Sequence, residues 1–307
     1  MSTDAPQGQP AAAPVARFDP IVDLRSGNAV AWTIGTQPAR PSTHGEADRQ
    51  DSSRQAALLL VAARALRDLP PGAFLCVPVD AAGLVSGALA AALEEAGDLE
   101  GIALLVSGRP GRQDAEAVVS ARRRGALIGL DPAALGDAQL TPDLLVIGQP
   151  LGALAAHDAA PRTAVRSLVR LARRAGALSL AAGVGSVAQA ATLFAEGVAL
   201  AQGAVFGPPA AAPVQLPALV AGRLLQVSAG RLLEAVAERA PELPMTAPLS
   251  RIAEVCLADD GHDWLVLVDR DGRPRRLVDR AAMLRGEPFE VPCPPGPERG
   301  ARSKWGA

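Results

Sequence analysis

The feature that most constrains this chain is a regular alternation of short apolar runs with longer amphipathic segments, which starts at Phe18. The short runs have the length and composition of buried strands, and the longer segments have the periodicity of helices. The predicted strands are Ile21–Leu24, Ala29–Trp32, Phe74–Val79, Ile102–Val106, Leu127–Leu130, Leu144–Ile147, Leu178–Ala181 and a last one that begins with Ala199–Ala201. So many strand–helix units favour an α/β protein with a closed, TIM-like (β/α)8 barrel.

Helices are predicted between these strands. The first follows the polar segment Pro38–Ser53, which we expect to be a loop, with Ser53 as the N-cap of a helix through Arg67. The other predicted helices of the barrel are Ala82–Ala96, Asp114–Arg124, Thr163–Ala175 and Val187–Glu196. Each one lies between two predicted strands, as the crossovers of a parallel sheet require.

Changes of composition mark the predicted domain boundaries. Residues 1–16 are expected to be a disordered leader, residues 17–209 the barrel, and residues 210–240 a Pro/Ala linker followed by a helix. Residues 241–290 are predicted to form a small α/β unit, because an Asp-Gly turn between two apolar runs is typical of a hairpin. Residues 291–307 are expected to be a disordered tail.

The charge balance and the cysteines exclude several classes of protein. The chain has 30 Lys and Arg residues against 32 Asp and Glu residues, so its net charge of −2 gives no case for a nucleic acid polymer as partner. Cys76, Cys256 and Cys293 lack the spacing of a metal site. The uncharged stretch Ala175–Ala195 contains Gly, Ser and Gln, which favours a buried strand and helix over a membrane span. We therefore expect a cytoplasmic protein with no membrane partner.

Five segments together carry a resemblance to a known family. They are Phe18–Leu24, Gly125–Leu140, Thr141–Ile147, Ala181–Gly185 and Gly197–Pro209, and the run Ala-Gln-Gly-x-x-Phe-Gly-x-Pro in the last one is the most specific. In order and spacing they resemble the EAL family, phosphodiesterases that linearise the bacterial messenger cyclic di-GMP. The resemblance extends from Phe18 to Pro209 and implies an EAL-type barrel.

The resemblance implies a hydrolysis in which carboxylates and an Asn hold two Mg²⁺ or Mn²⁺ ions. At most of the matching positions this chain has a different residue type. The positions that match the family's Glu, Asn, Glu, second Asp, Lys, Asp and last two Glu residues are Thr33, Pro78, Leu105, Pro132, Val146, Gly148, Ala182 and Gly185. The first Asp is retained as Asp131, and Gln202 is retained as well. Apolar side chains cannot replace the oxygen ligands that hard divalent cations need.

A shifted alignment does not restore the missing groups. Asn28 is the only Asn of the chain and lies in the first predicted turn, while the only Lys is Lys304, in the tail. No Glu occurs between Glu116 and Glu196, which span the later strands. We therefore expect no phosphodiesterase activity, no catalytic residue, no metal ligand and no cofactor.

Four residues remain as candidates for a residual ligand pocket. Asp131 and Gln202 are the retained polar residues, and Arg109 and Arg112 follow a strand closely enough to meet a phosphate charge. A hydrogen-bonded structural role also fits Asp131, and a role in the fold of the strand end also fits Gln202. Both interpretations stay open at this point.

The C-terminal unit resembles a single CBS repeat, a module usually used in pairs to hold adenosine nucleotides. Val266–Pro274 and Leu277–Leu284 carry this likeness. The closest matches to the positions that bind phosphate and ribose are Asp279 and Ala282, and an anionic Asp would repel a phosphate. A single repeat lacks its partner, so it could pair only with a second chain, as a homodimer.

Three functions follow as hypotheses. The first is a catalytically inactive EAL-like protein that acts as a regulatory or protein-interaction module in bacterial signalling, with a protein partner that the sequence does not identify. The alternative is a receptor that binds cyclic di-GMP without hydrolysing it. The third is an unrelated enzyme activity in the same pocket, for which the sequence offers no constellation of residues.

Overall fold

The computed structural model describes residues 16–36, 44–136, 140–225, 227, 240–258, 264–286 and 290–292. Eight strands close into a barrel in chain order. They are β1 (Ala16–Asp23), β2 (Ala29–Thr36), β3 (Phe74–Asp80), β4 (Ile102–Ser107), β5 (Leu127–Leu130), β6 (Leu144–Ile147), β7 (Leu178–Ala181) and β8 (Leu200–Gln202). Strands β2 to β8 are parallel, whereas β1 is antiparallel to both β2 and β8. The predicted TIM-like barrel is confirmed, with one strand reversed.

Side chains alternate between the two faces of the barrel wall, as the period of a strand requires. The inward-facing buried residues are Ile21, Ala31, Cys76, Ala103, Leu144, Leu180 and Leu200. Their neighbours on the same strands, such as Trp32, Leu75 and Leu104, are buried in a separate cluster that includes the helices. The barrel interior is therefore a packed core at this level.

Six helices accompany the barrel strands. They are α1 (His44–Ala65), α2 (Gly87–Ala96), α3 (Arg112–Arg123), α4 (Gln149–Ala155), α5 (Ala159–Arg174) and α6 (Val187–Ala195). One prediction was wrong here, and one helix was missed. Helix α1 begins at His44 inside the segment predicted as a loop, because the residues before Ser53 are polar and give no helical periodicity. Helix α4 was not predicted because Pro150 and Gly152 resemble loop signals, although a Pro fits the first turn of a helix.

The segment predicted as a linker runs along the β1–β2 hairpin. Ala210 forms an antiparallel bridge with Phe18. The Trp32 indole nitrogen donates to the carbonyl of Val214 at 3.0 Å, and the Gln215 amide bonds both the N–H and the carbonyl of Ala29. Residues 210–217 are therefore fixed to the barrel wall, and helix α7, described over residues 218–225, follows them.

The C-terminal unit is a four-stranded sheet with two helices. Its elements are β9 (Glu242–Pro244), α8 (Leu249–Leu257), β10 (Trp264–Val268), β11 (Pro274–Asp279), α9 (Arg280–Arg285) and β12 (Glu290–Pro292). The strand order is β12-β11-β10-β9, and only β9 and β10 are parallel. The predicted hairpin is confirmed as β10–β11. Strands β9 and β12 were not predicted, because three residues with a Pro give no strand signal. The predicted leader, apart from Ala16, and the predicted tail after Pro292 lie outside the described residues.

One face of the small sheet packs on the end of the barrel where the parallel strands begin. Trp264, Val266 and Leu277 share a buried cluster with Leu24 and Phe194 of the barrel. The rings of Trp264 and Phe194 meet edge to face, with centroids 6.0 Å apart. We call this end of the barrel its base. The C-terminal unit covers the base, and none of its described elements lies at the opposite end.

A charged contact joins the two units beside this apolar cluster. The Arg25 guanidinium, in the β1–β2 turn, donates to Asp279 at 2.5 Å. The other carboxylate oxygen of Asp279 accepts from the N–H of Ala282 and caps α9. Asp279, which the CBS resemblance relates to nucleotide binding, is therefore already bonded to groups of its own chain. No helix in the described part of the chain has the length and apolarity needed to cross a membrane.

If the apolar contact holds the two units together, Trp264→Ala should lower the free energy of unfolding by about 3–5 kcal/mol, because it removes a buried ring and leaves a cavity. Urea denaturation followed by circular dichroism measures this change. Leu154→Ala is the matched control, since Leu154 on α4 is largely exposed, and should change stability by less than about 0.5 kcal/mol. Equal effects of the two substitutions would contradict the packing.

Candidate ligand-binding mouth

As far as the described residues show, the barrel is open at the end where its parallel strands finish. Above the packed interior lies a second inward-facing layer, formed by Thr33, Pro78, Leu105, Val146 and Gln202. Pro78 is exposed and the other four are half-buried. Inward-facing residues that stay accessible show that solvent enters the barrel from this end. We call this opening the mouth, and it is where TIM-type barrels carry their active sites.

The wall of the mouth is apolar at three of the positions that match the family's polar residues. Pro78 and Leu105 lie on the neighbouring strands β3 and β4, and Val146 lies on β6, on the other side of β5. Leu105 also crosses to β5, since a Cβ on Gly129 would lie 2.4 Å from its Cδ2 atom. Leu105 therefore fills space inside the barrel that the absent side chain of Gly129 leaves free.

A chain of hydrogen bonds joins three strands on the opposite wall. The Gln202 Nε2 amide donates to Asp19 at 2.7 Å, and the Thr33 hydroxyl donates to Gln202 Oε1 at 3.0 Å. Both ends of the Gln202 amide are therefore used inside the protein. Burial raises the pKa of Asp19 above its ordinary value, and the hydrogen bond from Gln202 lowers it by a smaller amount.

Asp131 lies directly after β5 and is held by backbone groups. Its Oδ1 atom accepts from the N–H of Ala134 at 2.9 Å, and its Oδ2 atom accepts from the N–H of Gly108 at 3.2 Å. These bonds fix the turn after β5 to the loop after β4. The structural interpretation of Asp131 therefore has direct support.

The two predicted arginines lie on the loop after β4 and at the start of α3. Arg109 is exposed. The Arg112 side chain is 92% exposed, and its Nε atom donates to Glu116 at 3.4 Å, one helical turn away. Asp131 bonds the loop that carries Arg109, at Gly108. Gln202 lies on β8 and bonds Asp19 and Thr33 instead, so the four candidate residues do not form one cluster.

Sequence reasoning did not select Asp19 as a site residue. It lies in the segment Phe18–Leu24, which carries the resemblance, but no residue of that segment was predicted to contact a ligand. The signal was a carboxylate two residues before the buried Ile21, directly after the apolar Phe18. With a period of two, that spacing places Asp19 on the inner face of the barrel.

The donor set of the mouth does not fit a pair of divalent cations. Both Asp131 oxygens accept backbone N–H groups, and Gln202 is bonded at both ends. Within the described ranges, no group of three or more His, Cys, Asp and Glu residues could hold a metal ion. Oxygen ligands for two hard cations are thus missing from the described part of the mouth.

The loops after β7 and β8 are joined at Gly203. The Val184 N–H donates to the carbonyl of Gln202 at 2.9 Å, and the Val205 N–H donates to the carbonyl of Val184 at 3.2 Å. A Cβ on Gly203 would lie 2.3 Å from the backbone N and O atoms of Val184. The Ala-Gln-Gly run, the most specific part of the resemblance, therefore needs its glycine for this close backbone approach.

Comparison with known proteins supports the fold. No protein-family model and no curated protein matches the chain, but solved EAL structures do. The EAL enzyme Bd1971 in its cGMP-bound form is 17% identical with a TM-score of 0.53, and the match covers 64% of this chain and 62% of that one. The PaMucR phosphodiesterase in complex with c-di-GMP is 19% identical with a TM-score of 0.56, covering 67% and 92%. The EAL domain of Mycobacterium smegmatis DcpA is 19% identical with a TM-score of 0.54, covering 64% and 93%.

These likenesses show that the barrel has an EAL-like fold. The chain spans less than two thirds of the length of the Bd1971 enzyme, and nearly the whole of the DcpA domain. At identities below one fifth, the likeness extends to the fold alone. The predicted EAL-like barrel is thereby supported, whereas the resemblance of the C-terminal unit to a CBS repeat stays a prediction.

Gly203→Ala should lower the melting temperature by at least about 5 °C, because the new methyl group meets backbone atoms that cannot rotate away. Gly185→Ala is the control in the loop after β7, where a Cβ would meet only the Gln189 Oε1 atom at 3.8 Å. Differential scanning calorimetry compares the two variants. A Gly203→Ala protein as stable as Gly185→Ala would contradict the close approach.

Proposed function

We propose that this chain is a catalytically inactive EAL-like protein that acts as a regulatory or protein-interaction module in bacterial signalling. The observation that carries the proposal is the apolar wall of the mouth, where Pro78, Leu105 and Val146 occupy positions that match polar residues of the family. A phosphodiester brought there would meet no group of three or more metal-ligating side chains and no Lys among the described residues. Its charge would lose hydration without a replacement, which is costly.

The remaining polar groups of the mouth support the same proposal. Gln202 and Asp131 spend their hydrogen-bonding atoms on Asp19, Thr33 and two backbone N–H groups. A group that already makes good internal bonds gains little from a ligand, because the old bond must be broken first. We infer that these residues stabilise the barrel. We also infer that the mouth binds a partner instead of catalysing a reaction.

A second candidate function is a receptor that binds cyclic di-GMP without hydrolysis. It is favoured by the solved structures of similar fold, several of which are c-di-GMP complexes, such as PaMucR and the Xanthomonas citri FimX EAL domain. In this chain, the exposed Arg109 and Arg112 side chains of the β4–α3 region would have to meet the phosphate charge. Surface arginines without a metal could give only a modest contribution.

Incubation of the purified protein with cyclic di-GMP and Mg²⁺ or Mn²⁺ should leave the nucleotide intact, because the mouth lacks ligands for two cations. Chromatography of the mixture measures the nucleotide, and calorimetry at about 100 μM protein detects any micromolar complex. Metal-dependent turnover would overturn the proposal. Heat with intact nucleotide would select the receptor, provided that Arg109→Ala weakens binding and Arg123→Ala, on the exposed surface of α3, leaves it unchanged.

The proposal includes a homodimer formed through the C-terminal unit. The sheet buries one face on the barrel and the other under α8, where Ile252, Cys256 and Leu265 form a separate buried cluster. Outside this cluster, Leu249, Leu257 and Leu284 on α8 and α9 are 61%, 66% and 54% exposed. A single exposed leucine needs no explanation, but three on two neighbouring helices are typical of an interaction surface. The resemblance to a repeat that is used in pairs suggests that a second copy of the chain covers this surface.

The wild-type protein should sediment as a particle of twice the 31.3 kDa chain mass, and Leu257→Glu should sediment as a single chain, because a charge at an apolar interface loses its hydration. Analytical ultracentrifugation over a range of concentrations measures both. Val85→Glu, an equivalent change at an exposed valine of the barrel, should leave the dimer intact. A wild-type monomer at every concentration would refute the homodimer.

A further inference from the structure

Asp19 is a carboxylate inside the mouth that forms no ion pair with any described residue. Its carboxylate is half-buried and accepts one side-chain hydrogen bond, from Gln202. Gln202 is neutral and cannot compensate the charge. A half-buried carboxylate with one neutral donor is poorly solvated, and the burial that raises the pKa of Asp19 is the sign of this cost.

The charged groups of the neighbouring elements do not resolve this imbalance. Arg17 lies two residues earlier on β1, Asp80 ends β3, Arg109 follows β4 and Asp131 follows β5. None of them forms an ion pair with Asp19, and the shift of its pKa has only burial and Gln202 as causes. Arg109 is exposed and keeps its hydration, whereas Arg17 is half-buried, as Asp19 is.

The surroundings of Asp19 are suited to a long side chain with a charged end. Pro78, Leu105 and Val146 give an accessible apolar wall across the same opening. Lys and Arg carry three or four methylene groups that pack on apolar surface while the charged head binds elsewhere. A compact inorganic cation would gain nothing from this wall, and an anion would be repelled by Asp19.

We propose that the mouth binds an arginine or lysine side chain of a protein partner, with the cationic head at the Asp19 carboxylate and the stem along the Pro78–Leu105–Val146 wall. The proposal deepens the protein-interaction function put forward above, on which it rests. It specifies that the partner contributes a long, positively charged side chain to the mouth. Arginine is the better fit, because its guanidinium is more weakly hydrated than an ammonium and pairs with a carboxylate through two parallel bonds.

The test uses two small probes with the full-length protein: N-acetyl-arginine methylamide and its citrulline counterpart, which has nearly the same shape and no charge. Nuclear magnetic resonance follows the side-chain amide of Gln202 and the backbone amide of Thr33 during each titration. The arginine probe should bind about tenfold more tightly than the citrulline probe, because the pair with Asp19 is charge-assisted. Its affinity should fall as the pH is lowered through the pKa of Asp19, since the protonated carboxyl carries no charge.

Two isosteric variants locate the effect. Asp19→Asn keeps an oxygen acceptor for Gln202 and should remove the preference for arginine over citrulline. Asp80→Asn makes the same charge change at the exposed end of β3 and should retain the preference. Equal affinities of the two probes for the wild-type protein, or an undiminished preference in Asp19→Asn, would overturn the proposal. Neither result depends on hydrolysis of cyclic di-GMP. The catalytic inactivity of the barrel is therefore tested independently, by the nucleotide incubation described above.

Discussion

Closure of the barrel depends on β1, the one strand that runs against the others. Its pairing with β2 on one side and β8 on the other makes the sheet continuous. Because β1 is reversed, the chain enters the barrel at the mouth and turns at the base. Asp19 thereby reaches Gln202 and Thr33 in the mouth, while Arg25 reaches Asp279 at the base. The direction of β1 therefore determines both which polar side chains lie in the mouth and where the C-terminal unit is attached.

The mouth and the base differ in how their surfaces are covered. At the base, the barrel and the small sheet exclude water from a shared apolar cluster. At the mouth, the inner residues Leu105 and Val146 remain half-buried, and apolar surface at that depth is stabilised only when something covers it. The two proposals for this end share that physical origin, because an accessible apolar wall favours an occupant that covers it.

Much of the fold could be predicted from the sequence, because buried strands of a parallel barrel are short apolar runs with clear boundaries. The eight strands and the β10–β11 hairpin were located in this way. The prediction failed where the local signal was weak: the polar start of α1 at His44, the short helix α4, and β9, which depends on pairing with β10. Such elements are fixed by tertiary contacts that a local pattern does not contain.

The candidate site could be predicted in position but only partly in role. The spacing placed Gln202 and Asp131 near strand ends, and both lie there. It could not reveal that Gln202 bonds Asp19 and Thr33, because those residues are distant in sequence and meet only when β1 closes the barrel. Asp19 escaped selection for the same reason: its burial is a property of the closed barrel and not of its own segment.

The position of the C-terminal unit has a consequence for how the chain is made. During synthesis the barrel segment is complete before Trp264, Val266 and Leu277 leave the ribosome, so Leu24 and Phe194 at the base stay uncovered until then. The barrel must pass through an interval in which a finished sheet presents apolar surface to the cell, the kind of species that chaperones bind. The barrel therefore needs protection from aggregation during synthesis, a need that ends once the C-terminal unit covers its base.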